Sequence, residues 1–109
     1  MQRHLLTDFE LMILLAILRA DDDAYGVRVA TEIERTGRRV VIGAVYAALD
    51  RLERNGLVSS EVGEPTQERG GRAKRFFRVT PRGLRAVKET QGALVALWTD
   101  LPQLKERRT

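Results

Sequence analysis

Basic side chains are the groups in this chain with the clearest chemical use. Arg72, Lys74 and Arg75 lie close together and follow a pair of glycines, which permit a close approach of the backbone to a partner. A cluster of cations of this kind binds phosphates and other anions. Acid–base or nucleophilic chemistry has little to use, because the chain has one histidine, His4, and no cysteine. We therefore expect no enzyme, no metal site and no bound cofactor.

The composition is that of one small folded domain. With 109 residues, of which 43% are hydrophobic and 31% charged, the chain is neither disordered nor large enough for two independent cores. Its 19 Lys and Arg exceed its 15 Asp and Glu and give a net charge of +4, which favours a polyanionic partner. No apolar run reaches the ~20 residues that span a bilayer, and the first residues lack the pattern of a secretory signal. We expect a cytoplasmic protein with no membrane partner.

The elements around the basic cluster must position it, and residues 43–58 are the most informative of these. Val45, Leu49 and Leu52 recur at helical spacing and predict a helix with one buried side. Small residues near its N-terminal end would let the backbone come close to a large surface such as a DNA groove, and the helix dipole there favours a phosphate. Gly56 suits the left-handed residue that ends a helix.

Two further helices are predicted before residue 43. Thr7 and Glu10 have the spacing of a capping box, so a first helix should begin there and run to about Ala20. A second helix is expected over roughly residues 25–36. Residues 38–42 are too few for a helix and should form a small strand or an extended link.

After residue 56 the pattern changes to that of a β-hairpin. Residues 57–62 and 72–80 have strand character, and the turn-forming residues 63–71 join them. Alternation on the second strand lets Phe77 and Val79 reach the core while the basic residues project near the tip. The alternative is a solvated hairpin whose basic residues bind nothing.

Three helices followed by a basic hairpin describe a winged helix-turn-helix, an α+β fold that is mainly α. In this fold the third helix enters the major groove of DNA, and the hairpin, called the wing, lies along the phosphates. A winged helix that serves only as a protein–protein interaction module is the alternative function, because the fold alone does not decide between them.

Two motifs in the chain resemble those of the PadR family of bacterial transcriptional regulators. The motifs are Gly43-Ala-Val-Tyr-x-x-Leu-x-Arg-Leu-Glu-x-x-Gly-Leu-Val58 and Gly71-Arg-Ala-Lys-Arg-Phe-Phe-Arg-Val-Thr-Pro-x-Gly83. The resemblance covers nearly the whole chain and is to the short form of the family, with a single C-terminal helix. It implies a sequence-specific DNA-binding regulator that acts as a homodimer, with repression as its expected effect.

Carried over residue by residue, the resemblance implies a set of contacts to double-stranded DNA. The predicted DNA-binding residues are Ala44, Tyr46, Arg51, Arg72, Lys74 and Arg75. Tyr46 could instead pack against the second helix, and Arg51 could pair with a nearby carboxylate, Asp50 or Glu53. The chain departs from the family pattern at three places. Ile42 stands where members often have a small polar residue, Asp50 where many carry Lys or Arg, and Phe76 and Phe77 where the motif usually has a pair of tyrosines.

The C-terminal segment predicts a long helix that begins with Thr80 as N-cap and Pro81 as its first residue. A seam with heptad-like spacing runs along it, and its residues are Leu84, Val87, Gln91, Leu94, Trp98 and Leu101. Because a small core has no room for the whole seam, we expect it to pack against a partner. The resemblance implies that this partner is the same helix of a second copy, with the first helix helping. The alternative is a helix folded onto its own domain.

The dimer prediction divides the chain into two parts. Residues 1–80 would form the DNA-binding domain, and residues 81–109 would form the dimerisation helix and a tail, with Pro102 ending the helix.

Trp98 is the only tryptophan, and its position on the seam would place it near the dimer axis. A flat, polarizable ring can stack on an aromatic or cationic ligand. We hypothesise that Trp98 lines a site for a small aromatic effector, as the resemblance implies for some members. The alternative is that it only fills the dimer interface.

Overall fold

Helices and a two-stranded hairpin make up residues 5–63 and 74–105, the part of the chain that the computed structural model describes. The elements are α1 (Asp8–Ala20), α2 (Gly26–Glu34), α3 (Ile42–Arg54), β1 (Val58–Val62), β2 (Arg75–Val79) and α4 (Pro81–Trp98). Their order is that of a winged helix followed by a C-terminal helix, as the sequence predicts. Arg72, a predicted DNA-binding residue, lies outside the described residues.

The core forms around α1, which contacts α2, α3, α4 and β2. Ile13 and Leu14 of α1 are fully buried, as are the predicted inward residues of α3. Phe77, at the centre of β2, is also buried in this core. The hairpin is antiparallel and pairs Val58 with Val79, so that its base is fixed against the helices. Within the described ranges, no helix is long and apolar enough to cross a membrane.

The first helix begins with the predicted capping box. The hydroxyl of Thr7 accepts a hydrogen bond from the backbone N–H of Glu10 at 3.2 Å, and the carboxylate of Glu10 accepts one from the N–H of Thr7 at 2.9 Å. The same carboxylate lies 3.5 Å from the guanidinium of Arg51 on α3. Burial raises the pKa of Glu10, but the hydrogen bonds from Thr7 and the charge of Arg51 outweigh burial, so the pKa lies below its ordinary value. Glu10 therefore joins the start of α1 to α3 as a carboxylate.

The end of α3 and the start of α4 are fixed to each other. Gly56 has a φ of 78°, and the N–H of Leu57 donates to the carbonyl of Leu52 at 3.0 Å, which is the helix ending that the sequence predicts. The hydroxyl of Thr80 accepts from the N–H of Gly83 at 3.0 Å and donates to the carbonyl of Gly56 at 2.7 Å. A side chain at Gly83 would overlap the carbonyl of Leu57, so α4 approaches this turn closely.

Several predicted boundaries differ from the observed ones. The second helix ends at Glu34 rather than near residue 36, and residues 38–41 form an extended link without a strand. The last helix ends at Trp98, so Leu101, predicted on its seam, lies outside α4. The C-cap Thr99 already has an extended ψ of 139°, Asp100 follows with a φ of 62°, and the proline at 102 disfavours helical geometry at the residue before it. The prediction that Pro102 itself ends the helix was therefore wrong by one turn.

The side of α4 that faces its own domain is one position away from the predicted seam. Its buried residues are Gly83, Ala86 and Thr90, and the hydroxyl of Thr90 accepts a hydrogen bond from the N–H of Leu6 at 3.0 Å. Val87, predicted to pack against a second copy, is partly buried against the domain's own core, and its place in a dimer interface stays a prediction. The remaining seam residues of the helix are exposed, and they are Leu84, Gln91, Leu94 and Trp98. The first half of α4 therefore belongs to the domain core, and the second half extends beyond it.

The carboxylate of Glu10 should make the stability of the fold depend on pH. Because its pKa is lowered on folding, its contribution is complete above the unfolded pKa of glutamate, about 4.3, and is lost as the pH falls through the lower folded value. Glu10→Gln should therefore lower the free energy of unfolding near neutral pH, and the difference from wild type should shrink in acid. Chemical denaturation at several pH values measures this.

The matched control for this prediction is Glu34→Gln, which removes the same charge at the exposed end of α2. It should change the free energy of unfolding less than Glu10→Gln does at neutral pH. A difference between wild type and Glu10→Gln that stayed constant from neutral to acidic pH would show that the charge of Glu10 contributes nothing to stability.

Candidate nucleic-acid interface

The N-terminal end of α3 is the most exposed part of the predicted recognition helix. Val41, the N-cap, and Ile42 are 73% and 43% exposed. Ala44, a predicted DNA-binding residue, is exposed, and a Cβ at Gly43 would meet no other part of the described chain within 4 Å beyond its own helix backbone and sequence neighbours. The opposite side of the helix is buried in the core. This end of the helix is therefore free to enter a groove of DNA.

Tyr46 packs against the second helix and is still accessible. Its ring covers Gly26, the first residue of α2, so closely that a Cβ at Gly26 would overlap the ring. The side of Tyr46 away from α2 is open, since the residue is 43% exposed. The packing alternative and the DNA-facing prediction are therefore compatible, because Gly26 holds the ring in place without covering it. The Tyr25-Gly26 pair in the sequence was the available signal for this contact.

Arg51 has a carboxylate partner, but not one of the two that its position in the helix suggested. Its guanidinium lies 3.5 Å from Glu10 of α1, and its side chain is half exposed. Neither Asp50 nor Glu53 forms an ion pair with it in the described part of the chain. The contact with Glu10 directs Arg51 along the flank of α3 and partly neutralises its charge.

Arg75 belongs to a closed polar network rather than to a free basic surface. Its Nε donates a hydrogen bond to the hydroxyl of Ser60 at 2.8 Å, and the hydroxyl of Ser60 donates to Glu53 at 2.6 Å. The guanidinium of Arg75 also pairs directly with the carboxylate of Glu53. Since Glu53 lies on α3 while Ser60 and Arg75 lie on β1 and β2, the network joins both strands of the wing to the recognition helix. Sequence reasoning missed it because no local pattern connects the three residues.

The other side of the wing is fixed to the turn before α2. The N–H of Phe77 donates to the carbonyl of Ala24 at 2.8 Å, and the rings of Tyr25 and Phe76 meet edge to face with centroids 6.0 Å apart. The ammonium of Lys74 lies 4.1 Å from the centroid of the Tyr25 ring, a favourable cation–π distance. Lys74 is thus partly buried at the loop end of β2, and its charge has no carboxylate partner among the described residues.

Arg38 and Arg39 lie in the extended link that precedes α3, and the sequence predicted no binding role for them. Arg38 forms an ion pair with Asp8 at 3.0 Å, and its guanidinium lies 5.0 Å from the centroid of the Phe9 ring. Arg39 is exposed two residues before the N-cap Val41. Cations at this place add positive charge beside the end of the helix that would enter a groove. Their position next to the predicted helix start was the signal that could have identified them.

Comparison with known proteins decides what kind of protein carries this surface. The model of the transcriptional regulator PadR-like family matches residues 14–89, which include α2, α3 and both strands of the wing. The chain belongs to this family. The protein is also similar to the transcriptional regulator Rv3488 of Mycobacterium tuberculosis, with 40% identity over 78 residues, which are 72% of this chain and 69% of that protein.

Solved structures agree with this assignment. A PadR-like transcription factor from Bacteroides fragilis is similar with a TM-score of 0.73 and 25% identity, over 89% of each chain. A PadR-like regulator from Bacillus cereus has a TM-score of 0.71 at 21% identity and covers 92% of this chain and 93% of its own, which supports the fold alone. The winged helix-turn-helix fold is thereby confirmed, and the PadR-like protein is a transcriptional regulator of a DNA-binding family.

Lys74 and Arg75 provide a matched pair of substitutions, because each removes one positive charge from neighbouring positions of the wing. Lys74→Ala should weaken binding to any DNA duplex and reduce the salt dependence of binding by about 0.9 in log–log slope. Arg75→Ala should leave that slope nearly unchanged and lower the free energy of unfolding instead, since it leaves Glu53 without its partner. Titrations over a range of salt concentrations and denaturant unfolding measure the two effects.

A double-mutant cycle isolates the network from general loss of charge. Glu53→Gln and Arg75→Gln should couple by about 0.5–1 kcal/mol in stability, the range of partly exposed ion pairs. If Arg75→Ala instead reduced the salt slope like Lys74→Ala and the cycle showed no coupling, Arg75 would be a phosphate ligand, as the sequence analysis predicted.

Proposed function

We propose that this PadR-like protein is a cytoplasmic repressor that binds a specific operator in double-stranded DNA as a homodimer. The observation that carries the proposal is the exposed N-terminal end of α3, with the exposed Arg39 before it and Lys74 at the loop end of β2. Ala44 and Tyr46 would face the major groove, while Lys74 and Arg72 would contact phosphates. Repression would follow because a dimer on a promoter occupies the DNA that the polymerase needs.

The second half of α4 supports the dimer. Leu94, Leu97 and Trp98 are exposed on a helix that extends beyond the domain core, and exposed apolar surface of this kind is typical of an interface. A two-fold axis would place the same surface of a second copy against it. Residues 1–80 would then form the DNA-binding domain and residues 81–109 the dimerisation segment, although the first turns of α4 also complete the core.

Trp98 is the residue through which an effector would act in this proposal. Its side chain is 64% exposed at the last residue of α4, where a planar ligand could stack on it. A small aromatic effector bound there would change the relative orientation of the two subunits, and the dimer would then release the operator. Because the chain has one tryptophan, its fluorescence would report such a ligand directly.

The DNA-binding part of the proposal is tested by selection from a random library of short duplexes. The selected sequences should form a pseudo-palindrome whose half-site centres lie about one helical turn, or a small multiple of it, apart. Footprinting of the DNA upstream of the protein's own gene is the corresponding test on natural DNA. An absence of affinity for any duplex at low salt would refute the proposal and favour the protein–protein interaction module.

The dimer is tested by a charge placed on the exposed half of α4. Leu97→Glu should convert the dimer to a monomer in analytical ultracentrifugation and weaken operator binding, because a buried carboxylate at the axis would meet its own copy. Val27→Glu, at an exposed residue of α2, is the control and should remain a dimer. Truncation before Leu84 is unsuitable, since it would also remove Ala86 and Thr90 from the core.

The opposite result has a clear meaning. If Leu97→Glu sedimented like wild type and bound the operator with unchanged affinity, the exposed residues of α4 would not form the dimer interface. If wild type itself sedimented as a monomer while bound to a palindromic operator, the homodimer proposal would be wrong.

A further inference from the structure

An apolar tip at the start of α3 differs from the hydrogen-bonding surface that a groove-reading helix usually presents. It consists of Val41, Ile42, Gly43, Ala44 and Ala47, all of which are exposed. Its first two residues, Val41 and Ile42, are β-branched and expose methyl groups to water, although the opposite side of the helix is buried in the core. Apolar groups that remain exposed beside a well-packed core indicate a surface that is covered by a partner.

The tip has almost no side chain that can hydrogen-bond to a base. Between residues 40 and 49 only Tyr46 carries a donor or acceptor, and its ring is held over Gly26. The first charged residue of the helix is Asp50, roughly 12 Å along the axis from Ile42 at 1.5 Å per residue. Paired contacts such as Arg to guanine or Asn to adenine are therefore not available at the end of the helix that enters the groove.

One group in the major groove matches such a surface. The C5-methyl group of thymine is the apolar feature by which a protein recognises a base there, and aliphatic side chains contact it. From the methyl groups of the tip we infer that this PadR-like protein recognises its operator mainly through thymine methyl groups, with Ile42 and Val41 as the principal contacts and Ala44 beside them. This inference rests on the proposed function and names the chemistry by which the same surface selects DNA.

Charge identifies DNA, rather than another protein, as the occupant of the tip. Arg39 is exposed two residues before Val41, and Lys74 lies at the loop end of β2 with its ammonium over the Tyr25 ring. The N-cap Val41 has no side-chain acceptor for the first N–H groups of α3, so these groups and the helix dipole add positive potential there. An apolar tip surrounded by positive potential fits a methyl-bearing groove between two rows of phosphates. Gly43 lets the backbone approach that groove, because it carries no side chain.

The inference is tested with two versions of one duplex. A sequence selected from the random library is prepared once with thymine and once with deoxyuridine in its place, which removes the methyl groups and keeps the Watson–Crick pairing. Each methyl group that the tip contacts should contribute about fourfold in affinity, the equivalent of ~0.8 kcal/mol for one buried apolar carbon. With one contact per half-site, the full-length protein should bind the deoxyuridine duplex at least about tenfold more weakly in fluorescence anisotropy titrations.

Variants assign the effect to the tip. The double variant Val41→Ser, Ile42→Ser should bind the two duplexes with nearly equal affinity, because it has lost the methyl groups that distinguish them. It should remain folded, since both positions are exposed and serine is a favourable N-cap residue in place of Val41. Lys74→Ala is the control, and it should weaken binding to both duplexes equally while keeping the ratio between them.

The possible results separate the inference from the proposed function. Equal affinity of wild type for the thymine and deoxyuridine duplexes would overturn methyl recognition and leave a DNA-binding regulator. If the double serine variant still preferred the thymine duplex to the deoxyuridine duplex by the same factor as wild type, methyl recognition by the tip would also be overturned. The thymine methyl groups would then contact another part of the protein. Failure of wild type to bind any duplex at low salt would refute the proposed function itself, and the apolar tip would then be a surface for a protein.

Discussion

Burial of one side of α3 decides which residues of this PadR-like protein can face DNA. Val45, Leu49 and Leu52 are fully buried, and each such side chain contributes about 1.5–3 kcal/mol relative to exposure. The helix cannot rotate about its axis without losing this burial, so the exposed side is fixed. The first exposed residues of that side are apolar, and two of them, Gly43 and Ala44, are small. Arg38 and Arg39 of the preceding link and the basic residues of the wing supply positive charge around them.

Carboxylates divide the basic residues into two groups. Arg51 and Arg75 each pair with a glutamate of another element, Glu10 or Glu53, and these pairs join α3 to α1 and to the wing. Partly exposed ion pairs contribute little to stability individually, but they restrict the direction of long side chains. We interpret these two arginines as residues that position the elements, while Lys74 has its charge available for a phosphate.

The last helix serves two purposes along its length because the domain is small. A core of this size cannot bury both sides of an 18-residue helix, so the domain buries Gly83, Ala86 and Thr90 and partly covers Val87. Small residues are on the inside because α4 lies close to the backbone of Leu57. Leu84 and Gln91, which follow Gly83 and Thr90 in the sequence, remain exposed.

The sequence by itself determined the order of the elements and the ends that depend on neighbouring residues. The helix ending at Gly56 and the N-cap at Thr80 were predicted correctly, because each depends on backbone geometry within a few positions. Only the tertiary structure decided the partners of Arg51 and Arg75 and the buried side of α4. Periodicity cannot distinguish two adjacent stripes of one helix, and ion pairs between distant segments leave no local pattern, since both depend on which surfaces the folded chain brings together.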